Sequence, residues 1–73
     1  MRAAVFITTT GFSEDVFPAI RGAPGVIEAH MLMGVYDIIA VVEAPDEAQL
    51  KRTISGLRAH RGVMTTTTLL YIT

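Results

Sequence analysis

Glu28, His30, Tyr36 and Asp37 stand close together in the stretch Glu28-Ala29-His30-Met31-Leu32-Met33-Gly34-Val35-Tyr36-Asp37. No other part of the chain groups a glycine, an aromatic hydroxyl and a carboxylate so tightly, and apolar residues surround them. Polar groups in such a setting need a reason. A histidine two residues from a glutamate is the minimum for a tuned general base. No nucleophile or second acid accompanies it, so a satisfied pair at an interface is the simpler reading. Asp37 can brace a hairpin turn or take a ligand, and Tyr36 can sit in a core with its hydroxyl bonded or reach that ligand.

These groups must be held by the elements around them. Arg2 to Thr9 is apolar and β-branched and reads as a strand; Gly11 to Asp15 is a loop. A first helix starts at Ser13 or Asp15, with Pro18 favouring the later start because proline is tolerated in the first turn. Val16, Ile20 and Ala23 share its inner face, and Gly22 with Pro24-Gly25 ends it. Val26 to Met33 and Tyr36 to Ala44 form a hairpin whose two-residue turn, Gly34-Val35, suits type II′. Asp46 caps a second helix, Gln49 completes a capping box, and Leu50, Ile54 and Leu57 form its apolar stripe. Val63 to Ile72 is the last strand. His60 and Arg61 offset the second helix dipole, Thr65 to Thr68 give a β-branched strand, and Met31, Met33 and Met64 pack.

A weak internal repeat supports this division. Ile20-Arg21-Gly22-Ala23-Pro24-Gly25-Val26 is echoed by Leu57-Arg58-Ala59-His60-Arg61-Gly62-Val63, with Val5 falling on Val42 and Phe17 on Ile54. The order βαββαβ is the α+β ferredoxin-like arrangement, a four-stranded antiparallel sheet with both helices on one face. Residues 1–73 make one domain.

Composition narrows the function. The chain has no cysteine and a net charge of −1, with both signs scattered. Thiolate metal sites and disulfides are excluded, the two histidines have no ligand-like spacing, and no cofactor motif is seen. Nothing resembles a basic stripe or a membrane span, so no direct nucleic-acid or membrane partner is expected, and the reading is a soluble cytoplasmic protein. A chain of about 60 residues buries only roughly 60% of its unfolded surface. Stability from association with other copies follows.

The hairpin shows where. With His30 opposite Ile39, one face collects Ile27, Ala29, Met31, Met33, Tyr36, Ile38, Ala40 and Val42 and lies under the helices. The other collects Val26, Glu28, His30, Leu32, Asp37, Ile39, Val41 and Glu43. Exposed Ile39 and Val41 would leave on the order of 3–6 kcal/mol of burial unrealised. A dimer or larger oligomer with sheets packed face to face is therefore expected, with Glu28, His30, Leu32, Ile39 and Val41 at the interface.

Val26-x-Glu28-Ala29-His30-x-x-x-Gly34-x-Tyr36-Asp37, Leu50, and Gly62-Val63-x-x-x-x-Thr68 together resemble the effector-binding (RAM) domain of Lrp/AsnC transcription regulators over nearly the whole chain. Full-length members add an N-terminal helix-turn-helix domain, so this chain looks like a stand-alone RAM domain that does not bind DNA itself. The resemblance implies sheet-to-sheet homodimers, often assembled into octamers, with an amino acid bound at subunit interfaces. It also allows co-assembly with a full-length regulator. The ligand residues it implies are Gly34, Tyr36, Asp37 and Thr68, with Thr66 a weaker match. An α-ammonium suits Asp37, an α-carboxylate suits backbone amides made approachable by Gly34, and threonine hydroxyls complete the shell. Met33 stands where many relatives have a small polar residue. Face alternation turns Thr65 and Thr67, rather than Thr66 and Thr68, toward the partner unless a bulge intervenes.

Other readings use the same residues. A small dimeric α+β-barrel enzyme of monooxygenase or isomerase type shares the fold, with only His30 and Glu28 to serve it. A purely architectural subunit needs Gly34 and Asp37 only as turn chemistry. An ACT-like domain would have a glycine-rich loop after the first strand, which is reduced here to Gly11.

Overall fold

The computed structural model describes residues 1–73. Alternation in β1 (Arg2–Thr9) buries Ala3, Val5, Ile7 and Thr9 on one face of the sheet. Helix α1 (Ser13–Arg21) packs Val16 and Ile20 against that face. It begins at the earlier of the two expected starts, so Pro18 falls in the second turn. Pro18 is exposed, and water can solvate the carbonyl that its missing N–H leaves free. No side chain caps this end; Glu14 and Asp15 in the first turn complement the helix dipole instead.

Helix α2 (Glu47–Arg58) is capped as expected, Asp46 Oδ1 accepting from the Gln49 amide at 2.8 Å. The Gln49 side chain does not close the capping box. Its Oε1 accepts from Arg52 Nη1 at 3.0 Å. Leu50, Ile54 and Leu57 are buried.

With β2 (Val26–Met31), β3 (Ile38–Glu43) and β4 (Val63–Leu70), the sheet order is β2-β3-β1-β4, every neighbouring pair antiparallel. This is the ferredoxin-like α+β fold. Twelve buried residues from β1, β3, the β3–α2 junction and both helices form one core between the helices and the sheet. Neither helix is long and apolar enough to cross a membrane.

The expected hairpin register holds, with Glu28 opposite Val41 and His30 opposite Ile39. Its ends do not. A bulge between Val26 and Glu28 turns Val26 onto the core and leaves Ile27 53% exposed, which reverses the expected faces of both. The strands stop at Met31 and Ile38, so a six-residue connection replaces the tight turn, closed by the Leu32 amide donating to the Asp37 carbonyl at 2.8 Å. Met31, Met33 and Met64, expected to pack, are exposed. Val41, expected to be bare, is only 8% exposed, so less apolar surface is left uncovered on the open face than its alternation implies.

The internal repeat has a packing basis. Gly25 (φ 87°) and Gly62 (φ 96°) both lead from a helix into a strand. A Cβ on Gly25 would lie 2.8 Å from Thr53 Oγ1, and one on Gly62 would lie 2.7 Å from Val16 Cγ2. The offset relating Gly25 to Gly62 also relates Val16 to Thr53. Each unit's glycine thus receives the helix of the other unit at the matching position. Positive φ and close approach together demand glycine. Gly62→Ala should destabilise the fold by about 1–3 kcal/mol. Gly56→Ala, in the α2 interior where a Cβ meets nothing within 4 Å, should stabilise it by about 0.5–1 kcal/mol. Urea unfolding of the two variants measures both signs.

Candidate functional site

The end of the β2–β3 hairpin is fastened to β1 by Asp37. Its amide donates to the Ile7 carbonyl at 2.9 Å, and its Oδ2 accepts from the Thr9 amide at 2.8 Å and from Thr9 Oγ1 at 3.3 Å. Thr9 Oγ1 also lies 3.1 Å from the Gly11 carbonyl, which ties in the β1–α1 loop. Thr9 is the one buried polar residue, its hydroxyl facing two acceptors, the Gly11 carbonyl and Asp37 Oδ2, and its amide bonded to Asp37. Asp37 Oδ1 makes no hydrogen bond within the chain. In the loop that precedes it, the amides of Met33, Gly34, Val35 and Tyr36 donate to no group of the chain. Gly34, at φ 140°, shapes this loop and stands open to solvent.

Tyr36 does not lie under the helices as alternation implies. It is half-buried on Phe6, ring centroids 5.0 Å apart and planes inclined by 44°. Phe6 pairs with Ile39 on the open face, so Tyr36 belongs to that face. The bend of the connection breaks the two-residue alternation, and a tilted aromatic contact repays the turn of the ring.

Thr66 and Thr68 lie opposite Ile7 and Val5, on the helix side of β4. Arg58 Nε donates to Thr66 Oγ1 at 3.2 Å. A bulge does occur in this pairing, between Thr8 and Thr9, but it falls at Met64 and leaves both threonines where alternation puts them. Gly34, Tyr36 and Asp37 thus share the β2–β3 connection, Tyr36 against Phe6 and Asp37 against Thr9. The structure places Thr66 across β1 from them, Thr68 further along β4, and both on the face away from Tyr36.

The residues expected at an interface share the open face. Glu28, His30, Ile39 and Val41 lie there with Phe6 and Leu69; Leu32 is exposed just beyond the strand. His30 Nε2 and Glu28 Oε1 are 2.8 Å apart and both side chains are well exposed. At the rim Arg2 Nε donates to Glu43 Oε2 at 2.9 Å. That hydrogen bond and the carboxylate's charge raise the pKa of the guanidinium. No cleft of the single chain is lined by Gly34, Tyr36 or Asp37.

Two residues escaped the sequence reading. Thr9 has the parity of Ala3, Val5 and Ile7, so a hydroxyl on a core stripe pointed to a partner. Phe6 has the opposite parity, which put an aromatic ring on the open face.

Because Asp37 Oδ2 accepts from both the amide and the hydroxyl of Thr9, Asp37→Ala and Thr9→Val should each cost about 1–3 kcal/mol. A double-mutant cycle in urea should show that their effects are not additive.

Comparison with known proteins accounts for the whole chain. The family model of the Lrp/AsnC ligand binding domain matches residues 2–73. A crystal structure of a Thermus thermophilus protein superposes with a TM-score of 0.90 at 31% identity, covering 99% of this chain and 92% of that one. A transcriptional regulator from Neisseria meningitidis, solved as an L-Met complex, has a TM-score of 0.85 at 18% identity; this chain is covered to 99% but spans only 49% of the regulator. A stretch of 49 residues is 43% identical to part of a homocitrate synthase from Sulfurisphaera tokodaii, of which it covers 11%.

Proposed function

The chain belongs to the Lrp/AsnC ligand-binding domain family, and we propose that it is an amino-acid-binding regulatory module that works as an assembly of copies packed sheet to sheet. The hairpin end carries this reading. There Asp37 is held through Oδ2 alone, with Oδ1 left to accept from an α-ammonium, and four unpaired amides of the preceding loop can take an α-carboxylate. Gly34 keeps the approach to those amides clear, and Tyr36 offers a ring face and a hydroxyl. The L-Met complex of the structurally similar Neisseria meningitidis regulator supports an amino acid as the ligand class.

Since no cleft of one chain is lined by these residues, a second subunit closes the site. Thr66 and Thr68, on the helix side of β4, face away from a sheet-to-sheet partner and reach the effector only from a further copy in a larger assembly. Regulation then passes through assembly, including co-assembly with a full-length regulator, rather than through DNA contact by this domain. The likeness to part of a homocitrate synthase favours a second output, in which the effector-bound domain acts on an enzyme.

A thermal-shift screen of the common amino acids at millimolar concentration tests the reading. A ligand at a hundred times its Kd stabilises the fold by about 2.7 kcal/mol, several degrees at this size. One selective hit is expected, lost in Asp37→Asn, which keeps an oxygen for Thr9 but removes the charge that holds the ammonium. A flat panel, or a hit that Asp37→Asn leaves intact, would sink the site.

A further inference from the structure

A cleft of about 480 Å3 lies between α1 and α2 and shares no residue with the hairpin end. The two helices make few contacts with each other, so the space between them is left to solvent. Its apolar lining is Ala19, Ala23 and Leu57, and Gln49, Arg52 and Thr53 bring polar groups to it. The volume falls within the range of small-molecule sites, about 300–1,000 Å3.

Gly56 lines the same cleft. Glycine weakens the interior of a helix. Here the backbone angles do not call for it, and a Cβ would meet nothing within 4 Å. Neither conformation nor packing therefore explains this glycine. Its place does. It continues the stripe of Gln49 and Thr53, at four- and three-residue spacing, on the side of α2 that faces the cleft. A side chain there would occupy the cleft, and its absence keeps the space open.

The charge of the cleft is one-sided. No carboxylate lines it, and its two ionisable residues, Arg52 and His60, are both basic. No ion pair engages Arg52. Its side-chain hydrogen bond, from Nη1 to Gln49 Oε1 at 3.0 Å, leaves most of the guanidinium fork free. The same bond engages the Gln49 oxygen, so that side chain offers chiefly N–H donors.

We infer that the cleft binds a small carboxylate with a short apolar chain and no ammonium group, a 2-oxo acid in chemical class. Arg52 takes the carboxylate through paired N–H bonds. The Gln49 amide and the Thr53 hydroxyl donate to the oxo oxygen, and the apolar chain lies along Ala19, Ala23 and Gly56. An α-amino acid is rejected, because its ammonium would meet basic groups and no charged acceptor. This ligand class is the complement of the one assigned to the hairpin end, where Asp37 supplies the missing carboxylate. The two sites share no residue, so each stands or falls separately.

Amide chemical shifts of the purified protein, followed during titration with 4-methyl-2-oxopentanoate, test this. Thr53, Gly56 and Leu57 should move saturably at millimolar concentration. L-leucine, with the same carbon chain and an ammonium, should leave them in place. Arg52→Gln should weaken binding on the order of tenfold. Gly56→Leu should abolish it while melting no lower than the unmodified protein. Unmoved cleft amides, an equal response to L-leucine, or unchanged binding in either folded variant overturns the proposal. If Gly56→Leu does not fold, Arg52→Gln, at an exposed position, decides.

Discussion

Gly25 and Gly62 set how closely the helical layer lies on the sheet. Each brings its backbone to within reach of one side chain, Thr53 or Val16, on the helix of the other half. The two halves are thereby interlocked, and the twelve-residue core is sealed between them. Everything outside that core follows from the same economy of size. Two short helices shield one face of four strands and no more. The open face, the hairpin end and the β4 edge are left uncovered by the helices.

Much of this was legible from residue pattern. The continuous apolar run Ile38 to Val42 marks a strand, and centring the hairpin on Gly34-Val35 placed His30 opposite Ile39. Asp46 announced its helix because a short carboxylate before an apolar stripe has few other uses. Other features depended on distant partners. Nothing near Val26 signals a bulge, which becomes visible only once β2 lies on β3. The connection from Leu32 to Asp37 opens because Tyr36 leaves the core side for Phe6, a residue thirty positions away in sequence. Local turn preference at Gly34-Val35 lost to that contact and to the pull of Thr9 on Asp37. At the candidate site the residue types were therefore readable, and alternation placed Thr66 and Thr68 on the helix side, while the side from which Tyr36 is presented was not readable.

Asp37 joins two roles that are usually separated. One oxygen holds the hairpin against β1, and the other is free of hydrogen bonds, as are the amides of the loop that precedes it. A ligand bound there would draw on the charge of a group already fixed in place, so little ordering remains to oppose binding. The β1–α1 loop shares the arrangement through Thr9 and Gly11. Occupation of the hairpin end would be felt at the start of α1 through two hydrogen bonds.

The repeat does not extend to the outer strands. Glu28 pairs with Val41, whereas Thr65, its counterpart, pairs with Thr8 rather than with Ala4, the counterpart of Val41. The two units remain joined nearly head to tail at both junctions. One junction is the hairpin; at the other, Tyr71 is hydrogen-bonded to Arg2. In topological terms the chain is close to a ring of two like segments. A circular permutant opened at Gly34 and sealed between Thr73 and Met1 would follow the same path through the core while losing the hairpin end.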